Sequence, residues 1–70
     1  MERKKLSSSQ VRSVGYEPNS QTLEVELSDG SIWQYTQVPS EVHRRLMAAP
    51  SAVSYYRDSI EEEYSRRRVK

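Results

Sequence analysis

The chain predicts an α+β domain in which a three-stranded antiparallel β-meander is followed by two α-helices packed on one face. Three observations carry this. Apolar and polar residues alternate with a two-residue period up to residue 38, apolar residues recur at helical spacing from residue 39 onward, and turn residues separate the pieces. Strands in series followed by helices in series is the order of an α+β arrangement.

The first strand runs from Val11 to Glu17, with Val11, Val14 and Tyr16 as its apolar members. Its alternation slips by one at Ser13/Val14, beside Gly15, which marks a bulge or a close backbone approach. Pro18-Asn19-Ser20 makes the turn. In the second strand Leu23, Val25 and Leu27 alternate with Glu24, Glu26 and Ser28. Asp29-Gly30 signals a hairpin into the third strand, Ile32 to Val38.

Two hairpin registers are open, and a one-residue shift exchanges the faces. A two-residue turn pairs Leu27 with Ile32 and turns Trp33 and Tyr35 outward, opposite Glu26 and Glu24. A three-residue loop, Ser28-Asp29-Gly30 with Gly30 left-handed, pairs Val25 with Trp33 and Leu23 with Tyr35. The second register gathers Leu23, Val25, Leu27, Trp33 and Tyr35 on one face and leaves Glu24, Glu26, Gln34 and Thr36 on the other. It is the one expected.

Val38-Pro39-Ser40-Glu41 starts the first helix, since proline suits the first turn and an acid suits the positive end of the helix dipole. Val42, Leu46 and Ala49 share its apolar face, with Met47 at the edge, and Pro50 ends it. Ser51 caps a second helix, on which Val53, Tyr56, Ile60 and Tyr64 form one stripe with Tyr55 beside it. Glu62–Arg66 and Glu63–Arg67 stand at i, i+4 in the favourable order and would carry this helix into the C-terminal tail.

Composition narrows the chemistry. A chain of 70 residues makes one domain, and the absence of cysteine leaves neither a disulfide nor a thiolate metal site. One histidine, His43, does not make a zinc site. The fold must therefore rest on packing, to which one tryptophan and five tyrosines contribute most of the aromatic area. No apolar run approaches the length of a membrane span, and no apolar segment follows the charged N-terminus as it would in a signal peptide. Together with the lack of cysteine this points to the cytoplasm.

The net charge of +1 is unevenly laid out. Residues 1–5 carry +2, residues 65–70 carry +4 and residues 6–64 carry −5. We expect a basic flexible N-terminus over 1–6, a folded domain over 7–64 and a basic C-terminal tail over 65–70, with the tails solvated.

The residues collected so far form an ordered pattern. Ser8-Ser9-Gln10-Val11 leads into Val14-Gly15-Tyr16. Leu23-Glu24-Val25-Glu26-Leu27, Gly30, Trp33-Gln34-Tyr35 and Val38-Pro39 come next, and Ala49, Ser51, Tyr55, Ile60 and Tyr64 complete it. In this order it resembles the KTSC family, short domains named for their place at the C-terminus of some lysyl-tRNA synthetases and also found as stand-alone bacterial proteins. The resemblance covers about residues 7–64. Two positions depart from the family's pattern. Its central Tyr-x-Tyr has Trp33 in first place here, and Val53 stands where a glycine is expected after the serine that opens the second helix. The resemblance implies a small bacterial domain without established activity, for which RNA binding has been suggested.

The candidate sites divide into three classes. Catalysis has no support: nothing near His43 forms a nucleophile–base–orienter set, Ser7, Ser8 and Ser9 lack a glycine elbow and read as a strand lead-in, and Glu61-Glu62-Glu63 reads as a solvated face. His43 itself reads as a solvent-facing helix residue. No cofactor, metal or small-molecule substrate is expected. For RNA or tRNA, the phosphate candidates are Arg12, Arg44, Arg45, Arg66, Arg67 and Arg68. Trp33 and Tyr35 are stacking candidates if exposed. For a protein partner or self-association, Tyr16, Met47 and Tyr55 are the interface candidates, together with the open sheet edges. The expected function is a non-catalytic binding module, with RNA as the first ligand class and a protein partner as the alternative.

Overall fold

The structure is a computed structural model and describes residues 3–6 and 10–70, with the backbone alone at Lys4. The serine lead-in at 7–9 lies outside the described residues. Seven elements follow one another: β1 (Arg3–Lys5), β2 (Val11–Glu17), β3 (Thr22–Leu27), β4 (Ile32–Tyr35), α1 (Ser40–Ala48), α2 (Ala52–Ser59) and β5 (Arg66–Arg68). The strands form one antiparallel sheet in the order β1-β2-β3-β4-β5. The α+β class is as expected, and the central meander is β2-β3-β4. The strand count is not: both charged tails carry edge strands.

The hairpin takes the expected register. Leu23 opposes Tyr35 and Val25 opposes Trp33. Leu27 N–H donates to the Ser31 carbonyl at 2.9 Å, closing a loop over residues 28–30, and Gly30 sits at φ +91°. That backbone region is costly for any residue with a Cβ.

The slip in β2 is a bulge between Val11 and Ser13, so Arg12 is the extra residue. This is why Val11 and Val14, three apart, are both buried while Arg12 is exposed. Gly15 has a separate use. It stands between Arg3 and Glu24 in one row across the sheet. With no side chain there, Arg3 spans β2 and meets Glu24 at 3.5 Å, an ionic contact. Gln34 continues the row by donating to Glu24 at 3.1 Å. One row later Ser13 donates to Glu26 at 2.9 Å. The acids of β3 thus face polar partners on the side of the sheet away from the helices.

The helices cover the other face. Val11, Val14, Leu23, Val25 and Tyr35 from the sheet meet Val38, Leu46, Tyr56 and Ile60 in one buried cluster. Helix α1 ends before Pro50, and Ser51 caps α2 by accepting from the Ser54 N–H at 3.3 Å. Val42, Met47, Val53, Tyr55 and Tyr64 pack half-buried at the margin.

The end of α2 differs from expectation. The helix stops at Ser59, where the Ile60 and Glu61 N–H groups both close on the Tyr56 carbonyl at 3.0 and 2.8 Å. Residues 66–68 are then extended, so the proposed Glu62–Arg66 and Glu63–Arg67 helical pairs do not form. The physical reason lies in β4. Its outer edge would otherwise present unpaired N–H and C=O groups beside the core, and β5 satisfies them. Thr36 N–H donates to the Ser65 carbonyl at 3.0 Å, Ile32 N–H to Lys70 at 3.0 Å, and Val69 N–H to Ile32 at 2.8 Å. Pairing of this kind overrides the weak strand propensity of three arginines.

Candidate functional site: an arginine and tryptophan groove

Antiparallel pairing sets Arg66 opposite Tyr35 and Arg68 opposite Trp33, on the helix side of the sheet, and turns Arg67 to the other side, opposite Gln34. Arg66 leans diagonally across and lays its guanidinium 4.5 Å from the centre of the Trp33 ring. Trp33 is half-buried. Its indole N–H donates to the Ser31 hydroxyl at 3.2 Å, and Ser31 in turn donates to Asp29 Oδ1 at 2.6 Å. The Ser31 backbone N–H reaches the same oxygen at 2.9 Å. These two Ser31 hydrogen bonds hold the Asp29 carboxyl below the usual carboxylate range, so it is ionised at neutral pH.

The chain Trp33–Ser31–Asp29 fixes the indole at one wall of an open groove of about 530 Å³. The hairpin, Tyr56 and Arg57 of α2, and Arg66 and Arg68 of β5 complete its lining. Such a volume lies within the range of small-ligand sites. Beneath it the Tyr35 and Tyr56 hydroxyls share a short hydrogen bond, their rings edge to face with centres 5.8 Å apart. Burial, and then the bond to Tyr35, push the Tyr56 hydroxyl far above the ordinary tyrosine value. The nearby Tyr35 side chain raises the Arg66 guanidinium above its ordinary value, against the opposing effect of burial.

The remaining candidates sit elsewhere. Tyr35 has 0% exposure, so it is core and offers no stacking surface. Arg12 is exposed at the bulge, and Arg44 and Arg45 are exposed on α1, where Arg45 pairs with Glu41 at 2.5 Å. Tyr16 is packed against the core, stacks on His43 with centres 4.9 Å apart, and donates from its hydroxyl to the Val38 carbonyl at 2.5 Å. His43 is thus half-buried against a ring and not solvent-facing. Burial lowers its pKa, which keeps it neutral at pH 7. Met47 and Tyr55 are likewise half-buried against the core. Among the described residues Val69, at 43%, is the large apolar side chain left exposed.

Sequence reasoning missed Asp29, Ser31 and Arg57 as site residues. Asp29 was legible only as a turn former, and Ser31 becomes a partner of Trp33 once the loop register is known. Nothing in the sequence singles out Arg57. Among the described residues no group of three or more His, Asp or Glu side chains is placed to hold a metal ion, and no helix is long and apolar enough to cross a membrane.

Comparison with known proteins agrees with this fold. A crystal structure of a KTSC domain protein from Yersinia pestis superposes with a TM-score of 0.95 at 29% identity, over 99% of this chain and 97% of that one. An uncharacterised protein of Stutzerimonas stutzeri is 39% identical over 66 residues, 94% of this chain and 93% of its own length. A lysine–tRNA ligase of a Nostoc species is 37% identical over 54 residues, which are 77% of this chain but 10% of that enzyme. The KTSC domain model matches residues 7–64, and the chain belongs to the KTSC domain family.

Proposed function

We propose that this domain is a non-catalytic module that binds single-stranded segments of RNA at the Trp33 groove. The observation that carries the reading is the placement of Arg66 and Arg68 by β5 on the same side of the sheet as the lone indole. An aromatic face flanked by guanidinium groups is the general apparatus for unpaired nucleotides, with the ring taking a base and the cations taking phosphate. Magnitudes favour exchange at the ring. A guanidinium over a partly exposed indole contributes about 0.5–1 kcal/mol. A stacked base contributes about 1–3 kcal/mol, so it displaces Arg66 and leaves that cation for a phosphate. The relationship to a segment of a lysine–tRNA ligase supports an RNA ligand by analogy.

A protein partner is less well supported. Among the described residues Val69 is the large apolar side chain left exposed, and both sheet edges are basic, Arg3-Lys4-Lys5 and Arg66-Arg67-Arg68, which opposes edge-to-edge pairing of two copies. The test is titration of the labelled domain with mixed single-stranded RNA and with tRNA at two salt concentrations, followed by NMR and by emission from Trp33. Shifts centred on Trp33, Ser31, Arg66 and Arg68 that weaken steeply with salt are expected. Absence of shifts at low salt overturns the RNA reading and leaves a protein partner.

A further inference from the structure

The groove offers more than a ring and two cations, because the hairpin adds an ionised carboxylate beside the ring. Asp29 is joined to the indole N–H through one hydroxyl, Ser31 Oγ, by contacts of 3.2 and 2.6 Å. Both Ser31 bonds fall on Oδ1, which leaves Oδ2 of this exposed, groove-lining carboxylate clear of them, with the charge of Arg68 acting on the group. Asp29 already serves the turn through Ser31, and since a carboxylate is repelled by phosphate, the contact it makes with a nucleotide needs a different target. That target is a donor edge. A carboxylate only accepts hydrogen bonds, and guanine presents two adjacent N–H donors, N1–H and the N2 amino group, on its Watson–Crick edge. Adenine and cytosine carry a single amino group with an acceptor beside it, and uracil a single N–H between two carbonyls. Ser31 and Asp29 lie off the N–H edge of the indole, so a base that stacks with its Watson–Crick edge turned to that side meets Asp29.

Resting on the RNA reading above, we infer that the Trp33 groove takes one unpaired guanine nucleotide. Its base stacks on the indole in place of Arg66, its N1–H and N2 amino donors fall on Asp29, and its phosphate meets Arg66 and Arg68. The indole held through Ser31 and the hairpin held by the Asp29–Ser31 bonds preorganise the base-binding side of the site, while Arg66 swings from the ring to the phosphate. The ligand can be a free guanine nucleotide or a guanosine within a single strand, since the chemistry recognised is the same.

The test uses the full chain and Trp33 emission. GMP and AMP are titrated first, then a five-nucleotide adenosine RNA and the same strand with one central guanosine. The expected result is at least about fivefold tighter binding of guanine over adenine in one or both pairs, the low end for a two-point base contact. A preference in the mononucleotide pair identifies a free nucleotide as sufficient, and a preference confined to the strands identifies RNA. Asp29→Asn keeps a residue suited to the turn and is expected to abolish the preference for guanine over adenine; a preference that survives it overturns the assignment of the base edge to Asp29. Binding of both strands with equal affinity overturns the guanine assignment and leaves RNA binding standing. No binding of any of the four ligands overturns both.

Discussion

The hydroxyl pair beneath the groove makes the sharpest stability prediction. Tyr35 and Tyr56 are 0% and 4% exposed, and their hydroxyls satisfy one another. Tyr35→Phe removes one partner and strands the Tyr56 hydroxyl. Tyr56→Phe does the reverse, although the Arg66 charge stays near the Tyr35 hydroxyl. A stranded buried hydroxyl costs about 1–3 kcal/mol. Tyr56 lines the groove and can turn toward water, and Tyr35 retains a cation, so each single substitution should fall near the low end, about 1–1.5 kcal/mol. The double substitution removes both polar groups and keeps both rings, so it should cost no more than the worse single. The coupling is then about 1 kcal/mol in the restoring direction. Urea denaturation of the four proteins measures it, and thermal melts of the singles should fall by roughly 4–12 °C for a domain of this size. Strictly additive losses in the double variant would refute the argument, because they would mean each hydroxyl had independent partners.

Three further outcomes follow from the fold. Deletion of residues 66–70 removes the pairing of β4 with its outer neighbour, including the 2.8 Å bond from Val69 to Ile32. It should cost about 2 kcal/mol or more and shift Trp33 emission to the red, whereas a merely solvated tail would leave both unchanged. Gly30→Ala should cost about 1–2 kcal/mol in denaturation from left-handed strain alone, since a Cβ there meets no atom within 4 Å. A loss well beyond that would point to a steric clash. Stability should also decline as pH falls through 6.5, the ordinary histidine value. Burial depresses the folded pKa of His43, so the unfolded chain binds the proton first and stability rises with pH across that window. His43→Gln should flatten this part of the pH–stability profile, and an unchanged profile would assign the effect elsewhere.

Much of the fold was legible because its causes are local. The period of Leu23, Val25 and Leu27, the Asp29-Gly30 turn and the single-faced register follow from neighbouring residues, and the structure repeats them. The same holds for Pro50 as a stop and Ser51 as a cap. Trp33 and Arg66–Arg68 were legible as candidates by residue type, while their meeting was not.

Two matters were decided only in three dimensions. Local signals extended α2 through Tyr64 toward Arg67, since acids and arginines at i, i+4 favour a helix by a few tenths of a kcal/mol per pair. The unpaired edge of β4 outweighs that, and its backbone groups draw residues 65–70 into the sheet. Tyr35 and Trp33 lie two residues apart on one face and read alike from sequence, yet one is sealed beneath α2 and the other opens on a groove. From the chain alone come strand faces, turn types and the break between the two helices at Pro50-Ser51, because those depend on chemistry within a few residues. Which basic tail becomes a strand, and which aromatic ring a ligand can reach, depend on surfaces that meet only after the elements pack.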